Sequence, residues 1–390
     1  MQNFIFKSPT EFIFGKEAEN QTGSYLKKYG AKKVLVLYGG KSAKASGLLD
    51  RVTKSISEAG IAYIEMGGVQ PNPVLSKVRE GIELCRREQV DFLLAIGGGS
   101  VIDTMKAIGI GIDYEGDVWD YFCGKASNPH PYPGAVVLTI PAAGSEGSKS
   151  MVITNEDGLL KRGFDCEESR SKFSILNPEI TYTLPAYQTA CGAVDMMSHI
   201  MERYFTNTPS VELTDRMSEA VLKTIIHAAP AAIANPSDYN ARADLMWAST
   251  LAHCDLLSCG KTGDWASHDL EHELSALYGI AHGAGLAVVT PAWMKYVFKH
   301  DIPRFCQFAS SVFNVEMNYF NPEETALTGI CKLEEFFKKI AMPTRLADLG
   351  ITDDQFKLMA AKTTSQGART IGNFVKLTEN DCCQIYELMK

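Results

Sequence analysis

Phe92-Leu-Leu-Ala-Ile96 is apolar at every position and runs directly into Gly97-Gly-Gly-Ser100. A strand with no polar face has to be covered on both sides, which is the situation of central strands in parallel sheets. Similar runs flank it. Val34-Leu-Val-Leu-Tyr38 ends in Gly39-Gly40, Ile61-Ala-Tyr-Ile-Glu65 follows, and Ala135-Val-Val-Leu-Thr-Ile140 comes later. Between them lie amphipathic helical stretches, around 48–59 and from Asn72-Pro73 to about Glu88. This alternation, from about residue 30 to residue 180, predicts parallel strands joined by crossover helices, an α/β domain of Rossmann-like type.

After Pro185 the β signal fades. Three- and four-residue apolar spacing predicts helices near 186–204, 210–228, 238–258, 264–279, 284–297, 302–313, 322–340, 352–364 and 378–389. The expected partition is an α/β domain over 1–185 and an all-α domain over 186–390. A chain of 390 residues is long enough for both. The formal charge of −8 argues against nucleic acid or an anionic membrane as partner. No apolar run reaches the roughly 18–20 residues that span a bilayer. The N-terminus lacks a signal-peptide layout. Ten scattered cysteines without a C-x-x-C read as reduced thiols, so a cytoplasmic location is expected.

Three loops follow strand ends. Gly97-Gly98-Gly99-Ser100 lies between a strand and a helix, with Ser100 as a plausible N-cap. Glycines there would let backbone N–H groups approach a diphosphate at a helix N-terminus. The same residues would also make a tight turn. Gly39-Gly40-Lys41-Ser42 occupies the place where many dinucleotide sites carry an acid for the ribose hydroxyls. Without that acid the loop would tolerate a 2′-phosphate, so NADP is expected, with NAD possible; a solvated loop is the alternative. Thr139-Ile-Pro-Ala-Ala-Gly144 lies under a nicotinamide or reverses the chain.

The helical half carries the metal signal. His268 and His272 stand four apart, so they share one helix face, and Gly279 ends that helix before His282. Upstream, Asp195 and His199 repeat the spacing with a carboxylate and an imidazole. Imidazole is the commonest protein ligand for transition metals. A lone histidine pair at this spacing is usually incidental, and the weight falls on the two clusters together. A metal on one wall and a dinucleotide on the other would define a cleft between domains.

Taken with Thr10-Glu-Phe-Ile-Phe-Gly15, Gly97–Asp103, Gly144-Ser-Glu146, Pro185–Glu202 and Trp265–Gly285, the chain resembles the iron-containing alcohol dehydrogenase family over essentially its whole length, and its butanol dehydrogenase-like branch in particular. That resemblance implies a dehydroquinate synthase-like α/β domain and an all-α metal-binding domain. It implies Asp195, His199, His268 and His282 as ligands of one divalent metal, Fe(II) or Zn(II). His272 would be an active-site histidine, with Asp103 near the nicotinamide. Gly98, Gly99 and Ser100 would form the diphosphate loop, with Thr139 and Lys161 as further cofactor contacts. Three positions depart from the family: Lys41 within the glycine loop, Asn177 where many members have aspartate, and His253-Cys254-Asp255.

The implied function is an NAD(P)-dependent alcohol dehydrogenase or aldehyde reductase acting on a small aldehyde or primary alcohol such as butanal or butanol. One carboxylate and three neutral imidazoles would leave a net +1 on a divalent site, favouring an alkoxide. The alternatives are a glycerol dehydrogenase- or dehydroquinate synthase-like enzyme and a non-enzymatic metal-binding scaffold. A homodimer is expected, with an N-terminal strand around Phe4–Phe6 or Phe12–Phe14 pairing across the interface.

Overall fold

Strand order β1-β8-β5-β4-β2-β3 places the all-apolar Phe92–Gly97 strand inside a six-stranded sheet. The computed structural model describes residues 1–352 and 355–390. The strands are β1 (Glu11–Phe14), β2 (Lys33–Tyr38), β3 (Ala62–Met66), β4 (Phe92–Gly97), β5 (Gly134–Leu138) and β8 (Phe173–Leu176), and every pairing is parallel. An antiparallel pair, β6 (Ser150–Asn155) and β7 (Leu160–Asp165), stands apart from the sheet. The helices with these strands are α1 (Thr22–Lys28), α2 (Ser42–Ala45), α3 (Leu48–Glu58), α4 (Leu75–Glu88), α5 (Gly99–Gly111) and α6 (Trp119–Phe122).

Two apolar cores explain the continuous apolar strands. Val34, Val36, Phe92, Leu94, Ala135, Val137, Phe173 and Ile175 point to one core, which Leu26 of α1 and Leu49, Val52 and Ile56 of α3 complete. Their neighbours Leu35, Leu37, Leu93, Ala95, Val136 and Leu138 point the opposite way, onto Val78 and Ile82 of α4 and Ile102, Met105 and Ile108 of α5. The central strands β2, β4 and β5 therefore spend both their faces on helices.

Register is fixed by polar groups at the strand starts. Asp91 Oδ1 accepts the N–H groups of Lys32 and Lys33, both at 3.0 Å, and Asp91 N–H donates to the Lys33 carbonyl at 3.0 Å. At the other end, Tyr38 pairs with Ile96. The loops that leave β2 and β4 thus start side by side. The connection after β2 crosses one face of the sheet and the one after β4 crosses the other. This is the switch point at which open α/β sheets bind ligands.

The remaining helices are α7 (Ala186–Tyr204), α8 (Glu212–Ala234), α9 (Tyr239–His253), α10 (Ala266–Tyr278), α11 (His282–Val297), α12 (Ile302–Phe313), α13 (Pro322–Lys339), α14 (Phe356–Thr363) and α15 (Glu379–Glu387). Of the helix expected over 352–364, residues 353–354 lie outside the described residues. Helix α8 runs past Pro230 to Ala234, four residues beyond the proline.

The partition at 185/186 needs two corrections. One unit comprises Lys7–Leu184 with Ser237–Thr250, the other Met1–Phe6, Pro185–Pro236 and Leu251–Lys390. The first residues join the helical unit because the Met1 ammonium donates to the Pro209 carbonyl at 2.8 Å and Gln2 N–H to the Gly260 carbonyl at 2.8 Å. Most of α9 joins the sheet unit. Trp247 meets Phe12 and Phe14 edge-on at 5.7 and 6.3 Å, and the Thr250 hydroxyl donates to Glu146 Oε1 at 2.6 Å. Of the two N-terminal segments expected as a strand, Phe12 and Phe14 lie in β1, an edge strand paired with β8 of the same chain, whereas Phe4–Phe6 form no strand.

Candidate metal centre and nucleotide loops

In the sheet unit, the Gly97–Ser100 turn leads from β4 into a 13-residue helix. The N-cap is Gly98 and not Ser100, which sits inside the first turn; the Val101 and Ile102 N–H groups return to the Gly98 carbonyl at 3.0 and 3.2 Å. The glycines are also required by packing. A Cβ on Gly98 would come 2.9 Å from the Ile140 Cβ, and one on Gly99 would come 3.2 Å from the Ala143 Cβ. Gly39 has more room: a Cβ there would meet only the Val69 carbonyl oxygen at 3.4 Å and a Val101 methyl at 3.8 Å. Gly40, Lys41 and Ser42 are exposed beside it. Thr139 follows β5, and its N–H donates to the Gly97 carbonyl at 3.0 Å. Lys161, buried on β7, donates to Asn72 Oδ1 at 3.1 Å.

Asp103, expected among the catalytic residues near the nicotinamide, is held on both carboxylate oxygens. Its Oδ1 accepts the Ser145 hydroxyl at 2.6 Å and its Oδ2 accepts the Val152 N–H at 2.9 Å. Burial raises its pKa, against the pull of Lys106. Lys106 was not singled out in the sequence, yet its buried ammonium clips the same loop. It donates to the Ser145, Ser148 and Ser150 carbonyls at 2.7, 2.8 and 2.9 Å. Burial lowers its pKa to about 8, with Asp103 pulling the other way.

In the helical unit, α7, α10 and α11 bring the predicted metal donors together. Asp195 and His199 lie on α7, which is buried from Thr189 to Tyr204. Helix α10 carries His268 and His272 and ends on Gly279 in the left-handed conformation, φ 66°. That cap turns the chain so that α11 opens on His282 itself, earlier than the spacing predicts. Helix α11 then approaches its neighbours closely. A Cβ on Gly283 would overlap the Cys191 backbone, and one on Gly285 would come 2.6 Å from Glu271 Oε1.

Asp195, His268 and His282 each present a donor atom within 4.8 Å of the others. Asp195 Oδ1 lies 3.9 Å from His268 Nε2 and 3.8 Å from His282 Nε2. Donors on a divalent ion with bonds of about 2.0–2.2 Å are about 3.0–3.5 Å apart, so the spacing is on the right scale. Asp195 Oδ1 and His268 Nε2 are buried and have no hydrogen-bond partner among the described residues. Orphaned acceptors of this kind fit a cation. His199 does not join this convergent set. Its Nδ1 donates to the Asp195 carbonyl at 2.9 Å, and its ring packs 4.4 Å from the rings of both His268 and His253. Burial lowers its pKa to about 4, with Asp195 opposing. For His268, burial also disfavours the charge, but the neighbouring Asp195 and Glu202 carboxylates outweigh it and carry the pKa to about 9. His272, half-buried, is 5.7 Å from the His282 ring.

Two further residues were visible in the sequence only as parts of motifs. Glu202 Oε1 accepts His268 Nδ1 at 3.0 Å and the His268 N–H at 3.0 Å, and its Oε2 accepts the Trp265 N–H at 2.7 Å. Glu271 accepts His282 Nδ1 and the Ser275 hydroxyl. Arg203 also belongs here: it donates to the His199 carbonyl and to His253, and stacks on Trp265 at 4.6 Å.

Residues 9–178 match the family described as iron-containing alcohol dehydrogenase, and residues 189–389 its C-terminal part. The chain is 43% identical over 388 residues, 99% of each chain, to a probable NADH-dependent butanol dehydrogenase 2 of Bacillus subtilis. It is 34% identical, again over 99% of each, to an NADPH-dependent aldehyde reductase of Escherichia coli. The crystal structure of the NADH-dependent butanol dehydrogenase A of Thermotoga maritima superposes with a TM-score of 0.96 at 40% identity, covering 100% of this chain and 99% of that one. The chain belongs to the iron-containing alcohol dehydrogenase family.

The close contact at Gly98 generates a test of the nucleotide loop. Gly98→Val is expected both to destabilise the sheet unit, by displacing Ile140, and to abolish nucleotide binding. The double variant Gly98→Val/Ile140→Ala should recover the thermal stability but not NAD(P)H binding in calorimetry. Recovery of both would leave the loop a turn and nothing more.

Proposed function

We propose that the chain is a metal-dependent, NAD(P)H-dependent alcohol dehydrogenase and aldehyde reductase acting on a small aldehyde or primary alcohol such as butanal or butanol. The observation that carries this reading is the convergence of Asp195, His268 and His282 around two orphaned buried atoms. When bound, the nicotinamide supplies a hydride to the carbonyl carbon and the divalent ion, Fe(II) or Zn(II), supplies Lewis-acid stabilisation of charge on the carbonyl oxygen. Asp195, His268 and His282 would hold the ion, with His199, one turn after Asp195 on α7, as the fourth ligand. The Gly98–Ser100 turn would receive the diphosphate, with Thr139 and Lys161 near the cofactor. His272 would give a ring proton to the oxygen as the alcohol forms, and take it back in the oxidative direction. The names of the relatives, butanol dehydrogenases and an aldehyde reductase, support this substrate class over the glycerol dehydrogenase and dehydroquinate synthase alternatives.

No helix among the described residues is long and apolar enough to cross a membrane. None of the ten cysteines forms a disulfide among the described residues, which supports a reducing compartment such as the cytoplasm. Phe4, Ile5, Phe6 and Phe14 are exposed apolar residues at the N-terminal edge, which supports a homodimer built there. Light scattering should read two chain masses; a monomer at micromolar concentration would overturn the dimer.

The metal reading is tested with three variants. His268→Ala and His282→Ala are expected to lose bound metal and butanal reduction together. His272→Ala should keep its metal and lose roughly 10²-fold in turnover. One metal per chain in either ligand variant, or metal loss in His272→Ala, would overturn the corresponding role.

For the cofactor, we propose a preference for NADPH. Gly39 leaves no carboxylate to hold ribose hydroxyls, while Lys41 and Ser42 offer a charge and a hydroxyl. A charge-assisted hydrogen bond contributes about 1.5–3 kcal/mol, or on the order of 10–100-fold in binding. The NADH in the names of several relatives is the competing observation. Gly39→Asp is sterically allowed and should turn the kcat/KM ratio toward NADH. A ratio that the substitution leaves unchanged would remove this loop from cofactor choice.

A further inference from the structure

Two buried glutamates stand directly behind the two histidines of the convergent set. Glu271 on α10 is fully buried. One of its oxygens accepts the Ser275 hydroxyl and the other faces His282 Nδ1, while His282 Nε2 points toward Asp195, 3.8 Å away. Glu202 on α7, also buried, does the same for His268: its Oε1 takes Nδ1 at 3.0 Å and leaves Nε2 3.9 Å from Asp195.

We propose that Glu271 and Glu202 are positioning residues that fix His282 and His268 in the tautomer with hydrogen on Nδ1 and the lone pair on Nε2, and hold both rings on the metal. This rests on the metal reading given above. The physical reason is the two-sidedness of imidazole. A neutral ring carries one hydrogen, and a carboxylate is an acceptor only, so the nitrogen facing it must be the donor. The other nitrogen is then obliged to offer its lone pair. A negative partner also makes that lone pair more basic.

The two glutamates differ in what else they do. Glu202 also receives the N–H groups of Trp265 and His268 at the start of α10, so its removal would loosen the helix as well as the ring. Glu271 is held by Ser275 one turn along the same helix. The room for it is kept by Gly285 on α11, where a Cβ would intrude on its Oε1. Glu271 is the residue tested, with the melting temperature measured beside metal affinity so that ring orientation is separated from folding.

Glu271→Gln keeps the shape of the side chain but can present an amide N–H to Nδ1, which would turn the lone pair away from the metal. The experiment titrates metal-stripped full-length protein with Co(II) against a competing chelator, and records the visible spectrum and the melting temperature before loading. For Glu271→Gln the expected result is an unchanged melting temperature without metal, Co(II) affinity reduced roughly 10–100-fold, and an altered Co(II) spectrum. Ser275→Ala, which frees the carboxylate but keeps its charge, should show a smaller loss in the same direction. Wild-type affinity and spectrum in Glu271→Gln, with Asp195→Asn unable to bind Co(II), would overturn the positioning role and leave the metal site standing. Co(II) binding that survives Asp195→Asn would instead overturn the metal reading itself. Two ions per wild-type chain and one in Glu271→Gln would make Glu271 a ligand, again overturning the proposal.

Discussion

Helix α11 can begin at His282 only because positions 283 and 285 carry no side chains. Gly283 lets its first turn rest on the backbone of α7 at Cys191, and Gly285 lets it pass over Glu271 of α10. Three helices then meet within one turn of Asp195, and His282 arrives beside a carboxylate that belongs to a different helix. Everything assigned to this centre follows from that approach. The burial of Asp195 and the orientation of the two imidazoles both need the helices this close.

Burial on this scale changes the electrostatics inferred from ligand residues alone. Counting Asp195 and three imidazoles gives a divalent centre a residual positive charge. Glu202 and Glu271 add two buried carboxylates directly behind the histidines, so the centre is more negative than that count. Arg203, stacked on Trp265 and donating to the His199 carbonyl, supplies a cation nearby. Removing one member of a buried ionic group leaves its partner uncompensated, which typically costs about 3–5 kcal/mol. Stabilisation of developing negative charge on a substrate would then depend on the ion and its local geometry, not on an excess of positive charge in the surroundings.

Much of the architecture was legible because parallel strands buried on both faces leave a strong signal. The runs at 34–38, 92–96 and 135–140 became β2, β4 and β5 with small shifts at their ends. The helices after Pro185 followed from their spacing. What escaped was of two kinds. The strands β6, β7 and β8 have four to six residues each and lack the unbroken apolar runs of β2 and β4. The destination of a segment was also invisible: α9 reads as a helix, but nothing in its periodicity says that Trp247 packs on Phe12. At the site, the candidate donors Asp195, His268 and His282 could be singled out because histidines are rare in this chain. The hold on Asp103 was not legible, because its partners Ser145 and Val152 lie far along the sequence. Glu202 and Glu271 were hidden among many helical glutamates, and only the direction of their oxygens distinguishes them.

A sheet that is apolar on both faces has no hydrophobic alternation to fix its register, because a slip of one residue exchanges one buried side chain for another. Here the deciding groups are at the bottom of the sheet, where the Asp91 carboxylate holds the Lys32 and Lys33 N–H groups. The six residues of β2 span about 20 Å. Over that distance a single side chain at one rim determines that Gly39 and Gly97 emerge level at the other. The nucleotide loops are thus aligned by a residue that no ligand at those loops would touch. A change at Asp91 would act on them as misaligned scaffolding, with every loop residue still present.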